Sequence, residues 1–138
     1  MKRYEQVPHT ADFAAKVYGR DLAELFENAA FAMFDMMADL EGLGTGETIE
    51  IRVEAPDRES LLVAFLNELL YTAYIKQVIF TDFRVKNIQE RELSAEARGG
   101  KIGADNRRLQ SEIKAATYHD LKIEKTDSGY EITVVFDV

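Results

Sequence analysis

The sequence predicts an α+β domain, with mostly antiparallel sheet packed against two main helices. Three observations predict it. Segments with period-two alternation recur along the chain from Tyr4 to Phe136. Two stretches, opening at Asp21 and Asp57, place apolar residues at i, i+3 and i+4. The strands run in series rather than alternating with helices, which favours an antiparallel arrangement over a parallel one. With 138 residues, no internal repeat and no linker, positions 1–138 read as a single domain. That length buries a core without disulfide or metal staples.

In chain order, Tyr4–Val7 is a short strand stopped by Pro8, and His9-Thr10-Ala11-Asp12 follows as a turn-like segment. Alternation resumes over Phe13–Tyr18, with Phe13, Ala15 and Val17 on one side, and ends at Gly19. Asp21 and Glu24 form a capping box, in which Asp21 accepts from the amide three residues on and Glu24 reaches back. The helix they open carries Leu22, Leu25, Phe26, Ala29, Ala30, Met33, Phe34 and Met37, a stripe that reads as core filler. Glu41–Gly46 is glycine-rich but leaves a helix and enters a strand. A phosphate-binding loop does the reverse, so this one reads as a flexible connector.

Glu47–Glu54 alternates cleanly, with Ile49, Ile51 and Val53 inward. Asp57 caps a second helix whose apolar face holds Leu61, Leu62, Phe65, Leu66, Leu69, Leu70 and Ala73. Asn67 and Glu68 interrupt its flank, either as a solvated edge or as support beneath a site. Val78–Asn87 and Arg91–Arg98 read as strands turning near Asn87–Glu90, with Gly99-Gly100 closing the second. Ile102–Gln110 reads as a mobile polar loop. Glu112–Thr117, Leu121–Lys125 and Tyr130–Phe136 read as three further strands, the last two joined at Asp127-Ser128-Gly129.

Composition narrows the function classes. The chain has no cysteine, which excludes thiolate chemistry and a disulfide framework. No apolar run reaches membrane-span length, and MKRYEQV lacks a signal peptide's apolar core, so a cytoplasmic protein is expected. A net charge of −8 argues against tight nucleic-acid binding by this chain alone. The segment Arg98–Lys114 nevertheless carries Arg98, Lys101, Arg107, Arg108 and Lys114 against Asp105 and Glu112, a local +3. A solvated loop and a contact patch explain it equally well.

The last strand carries the strongest chemical signal. Tyr130, Ile132, Val134, Phe136 and Val138 share one face, and Asp137 lies on the other, one residue before the terminal carboxylate. Anions held that close repel unless a cation or donor lies between them. If the first and last strands are neighbours, Asp12 joins Asp137 and Val138, and hard oxygen donors of this kind suit Ca²⁺, Mg²⁺ or Mn²⁺. Asp12 read alone is more often a turn cap. In Glu112–His119, an extended strand places Glu112, Lys114, Ala116 and Tyr118 on one face. Lys114 then either pairs with Glu112 or contacts a phosphate. His9 and His119 are the two histidines; His119 reads more readily as a turn residue than as a general base. No nucleophile–base arrangement emerges, so no catalytic residue is assigned.

Taken together, His9-Thr10-Ala11-Asp12, Leu25–Ala30, Leu61-Leu62 with Leu66–Leu70, Glu112–His119 and Phe136-Asp137-Val138 closely resemble the archease family. The resemblance runs from the first strand to the last residue. It implies a small α+β protein without a reaction of its own. Such a protein activates a GTP-dependent RNA ligase that joins 3′-phosphate or 2′,3′-cyclic-phosphate ends to 5′-hydroxyl ends in tRNA splicing and RNA repair. It promotes ligase guanylylation and multiple turnover, and meets RNA only through the ligase. The resemblance further implies a metal site at Asp12, Asp137 and Val138 with calcium as the ion, and places the family's basic residue of the Glu112–His119 segment at Lys114. His9 and His119 are candidate partner contacts. The acidic balance fits docking on a basic ligase surface. Two other classes compete: a stand-alone metal-dependent phosphohydrolase, favoured by the acids alone, and a general chaperone-like module.

Overall fold

A computed structural model of the chain describes residues 2–8, 13–102 and 109–138. The α+β expectation holds, with two helices and every strand pair antiparallel. The elements are β1 (Tyr4–Val7), β2 (Phe13–Gly19), α1 (Leu22–Met37), β3 (Glu47–Glu54), α2 (Arg58–Lys76), β4 (Val78–Ile88), β5 (Glu92–Lys101), β6 (Ala115–Ala116), β7 (Glu124–Thr126) and β8 (Gly129–Asp137). They form two sheets. One has the order β1-β2-β8-β6, with β7 also on β8; the other has the order β3-β5-β4. The last strand thus lies inside its sheet. It is the second strand rather than the first that pairs with it, with Phe13 opposite Phe136 and Gly19 opposite Tyr130.

The helices bury their apolar stripes between the sheets. α1 packs on β2 of one sheet and β4 of the other, while α2 touches β3, β4, β5 and β6. Phe26 of α1 stacks on Phe65 of α2 at 6.3 Å, and Phe34 meets Phe80 and Phe83 at 5.8 Å each. Each fully buried Phe of this kind contributes about 1.5–3 kcal/mol of apolar burial. Met33, Met36 and Met37 are buried among them, as filler rather than as a binding surface. Asp21 caps α1 by accepting from the Glu24 amide at 2.8 Å. Glu24 returns to the Arg20 amide at 3.0 Å, one residue earlier than a capping box requires. Asp57 caps α2 by accepting from the Ser60 amide at 2.8 Å.

Three expectations are corrected. Gly99 and Gly100 do not close β5, which continues to Lys101. They mark close backbone approaches instead. A Cβ on Gly99 would lie 2.0 Å from the Ile79 carbonyl oxygen, and one on Gly100 would lie 2.7 Å from that of Gly44. The strand expected over Glu112–Thr117 reduces to Ala115–Ala116, which pair with Asp137 and Phe136 at the end of β8. The one expected over Leu121–Lys125 shifts to Glu124–Thr126. There the hairpin turn fixes the register, and the Ile123 amide is taken by Glu59 at 3.0 Å instead of by a strand. Most of the loop expected at Ile102–Gln110 lies outside the described residues. Leu109 forms an isolated bridge to Ala38.

Candidate functional site

The candidate site is the tip where β8 ends. Phe136, fully buried, anchors the strand in the core, and alternation turns the next side chain, Asp137, to the surface. β6 runs alongside. Ala115 pairs with Asp137 and Ala116 with Phe136, and the Lys114 amide donates to the Asp137 carbonyl at 2.8 Å. Lys114 is therefore held beside Asp137 by backbone contacts, with its side chain exposed. The Asp137 carboxylate makes no hydrogen bond or ion pair with any described residue, so its oxygens stay open to a ligand. Val138 is also exposed.

Asp12 and His9, expected to share this site, lie outside the described residues. Phe13, covalently next to Asp12, pairs with Phe136, so the second strand begins at the end of β8 where Asp137 stands. Among the described residues, no three His, Asp, Glu or Cys side chains gather as a metal site.

Lys114 is not paired with Glu112, and the shared face expected for Glu112, Lys114, Ala116 and Tyr118 is broken. Ala116 is buried with Ile113, while the other three are exposed. The exposed side therefore switches within the segment, between Lys114 and Ala116. After β6, Thr117 fastens the segment to β8, its amide and hydroxyl both donating to the Val135 carbonyl, at 3.0 and 2.8 Å. The chain then turns through Asp120, which adopts a left-handed φ of 47° that aspartate tolerates. His119 sits in this turn, as expected. Its amide donates to the Thr117 hydroxyl at 3.4 Å, and its Nε2 lies 3.3 Å from an Asp120 carboxylate oxygen.

Glu68 is exposed, as a solvated edge requires, while Asn67 of α2 is half-buried and bonds to the backbone of β6. Its Nδ2 donates to the Ala116 carbonyl at 3.3 Å, and its Oδ1 accepts from the Ala116 amide at 2.8 Å. The signal for this was a lone amide on the flank of an apolar stripe. Part of the local +3 charge is neutralised: Arg98 meets Glu96 at 3.2 Å and Lys101 meets Glu47 at 3.7 Å. Arg107 and Arg108 lie outside the described residues.

The archease protein family matches residues 4–138. The chain belongs to the archease family. An archease from Methanosarcina barkeri is 41% identical over 99% of this chain and 97% of its own. One from Pyrococcus abyssi is 43% identical over 94% and 93%. The solution structure of a Methanobacterium thermoautotrophicum protein superposes over the full length of both chains with a TM-score of 0.86 at 33% identity. The crystal structure of a Thermotoga maritima archease, described as a possible chaperone, matches with a TM-score of 0.65 at 25% identity. Among the described residues, no helix of this family member is long and apolar enough to cross a membrane.

Proposed function

We propose that this protein is a cytoplasmic accessory factor that activates a GTP-dependent RNA ligase acting on 3′-phosphate or 2′,3′-cyclic-phosphate ends in tRNA splicing and RNA repair. It promotes guanylylation and repeated turnover without a reaction of its own. The observation that carries the reading is the exposed tip: Asp137, Val138 and Lys114 stand at the outer end of a sheet, open to solvent. An enzyme encloses its substrate in a cleft, whereas groups exposed at the end of a sheet are open to contact by a partner.

Asp12, Asp137 and the Val138 carboxylate would hold a divalent cation, calcium foremost, with magnesium or manganese also suited to oxygen donors. Such a cation offsets negative charge on nucleotide phosphates. Asp137 presents its carboxylate at the end of a strand anchored by Phe136, so little ordering remains to be done on docking. Lys114, tied to the Asp137 backbone, brings a positive charge to the same tip and fixes the docked pose by meeting an anionic group of the ligase complex.

The test is ligase turnover at limiting ligase with GTP and divalent metal, with and without this protein. Many turnovers only in its presence support the reading. Asp137→Asn removes one charge at an exposed position and should abolish stimulation while moving stability by less than about 0.5 kcal/mol. A fully active Asp137→Asn protein would refute the role of the tip. Turnover of phosphorylated substrate without the ligase would favour the hydrolase. A chaperone-like role has one observation in its favour, the exposed Tyr71, Tyr74 and Ile75 on α2. It predicts that unrelated aggregating proteins are protected as well as the ligase.

A further inference from the structure

We propose that Asn67 is a positioning residue of the tip, its side-chain amide clamping the Ala116 backbone so that Lys114 and Asp137 keep one arrangement. The inference rests on the activator reading and deepens it. β6 is two residues long and stands at the end of its sheet's order, with β8 as its sheet partner. Such an edge leaves backbone N–H and C=O groups without strand partners. Ala116 is 4% exposed, so water cannot readily serve them. Asn67 supplies both partners, its Oδ1 taking the N–H and its Nδ2 reaching the C=O, much as a neighbouring strand would. It does so from a helix whose Leu66, Leu69 and Leu70 are locked in the core, so the clamp is referenced to the rigid interior. On the opposite side Thr117 and Lys114 bond to β8. The segment carrying Lys114 is thereby fixed from two directions, and through the Ala115–Asp137 pairing so is the acid.

The donor and acceptor are separable by substitution. Asn67→Ala removes both. Asn67→Asp keeps an oxygen for the Ala116 amide but turns the other contact into a carboxylate facing a carbonyl. Amide hydrogen exchange followed by NMR reads the clamp directly. In Asn67→Ala the Ala116 amide should exchange at least about tenfold faster, while amides in β2 and β5 keep their protection. In Asn67→Asp it should stay slower than in Asn67→Ala. In the ligase assay, the concentration giving half-maximal stimulation should be lowest for wild type, higher for Asn67→Asp and highest for Asn67→Ala, per folded molecule. A purely structural role would lower only the folded fraction.

Unchanged Ala116 exchange in Asn67→Ala overturns the proposal, as does unchanged half-maximal concentration with the clamp lost. Should Asn67→Ala fail to fold, Asn67→Asp decides on the same two readouts. Wild-type protein that does not stimulate the ligase overturns the activator reading alone, and exchange at Ala116 still decides the clamp.

Discussion

Replacing Asn28 with alanine should destabilise the scaffold and spare the tip. Asn28 is the polar side chain most deeply buried among the described residues, at 6% exposure. Its Nδ2 donates to the Tyr18 carbonyl at 2.7 Å, and its Oδ1 accepts from Arg3 Nε at 2.9 Å. Alanine leaves the Tyr18 carbonyl without that donor in a part-buried site, which costs about 1–3 kcal/mol. Arg3 is exposed and rests on the Phe31 ring at 3.8 Å, so its guanidinium turns to water and adds little. The total is about 1–3 kcal/mol, or roughly 3–10 °C in Tm for a chain of this size. Urea unfolding followed by circular dichroism measures it, with an unchanged slope showing that the two-state comparison holds. Tyr18 and Phe13 stand five residues apart on β2, about 17 Å along the strand, so stimulation per folded molecule should be retained. A loss under about 0.5 kcal/mol would refute the reasoning about the buried amide. Lost stimulation at full stability would refute the separation of scaffold from tip.

Other expectations concern charge, capping and backbone contact. Burial raises the Glu27 carboxyl above its ordinary value, opposed in part by the Val85 amide that donates to it at 2.8 Å. Because the folded value is the higher one, the stabilisation is complete below the ordinary carboxylate range and is lost as pH rises through the raised value. Glu27→Gln keeps an acceptor for Val85, so its urea midpoint should gain on wild type across that window. Parallel curves would contradict the burial effect. Asp57→Ala removes the α2 cap and should cost about 1 kcal/mol in the same assay. Gly99→Ala drives a methyl into the Ile79 carbonyl and should part β4 from β5, costing more than about 2 kcal/mol. An unaltered Tm would mean that the strands part freely.

What was legible in the sequence were features set by periodicity and local capping. The two helices, their caps at Asp21 and Asp57 and the β7–β8 hairpin turn rest on contacts within a few residues, and β3 shows in its clean alternation. What misled was determined across the chain. Gly99-Gly100 look like punctuation in one dimension, but their meaning lies in Ile79 and Gly44, which the fold brings against them. The segment Glu112–Thr117 alternates on paper, yet its ladder is only the two residues that pair with Phe136 and Asp137, a partner strand that lies about twenty positions on. At the tip, Asp137 and Lys114 were legible as residue types in a suggestive pattern. The clamp on Ala116 was not, because Asn67 lies 49 positions away and becomes a partner only when α2 packs against β6.

The position of β8 has a consequence for how the molecule is assembled. In the sheet it lies between β2 and β6, yet it follows both in the chain. During synthesis those two strands exist before the one that joins them, and β2 must hold an open edge across more than a hundred residues. The β3-β5-β4 sheet has no such wait, since its strands and α2 emerge close together. Long-range pairing of this kind is slow and exposes edges while it is pending. The arrangement at Asp137 therefore comes into being only with the closing of the sheet, so a chain interrupted before β8 holds much of the hydrophobic scaffold but neither Asp137 nor the strand that Lys114 is bonded to.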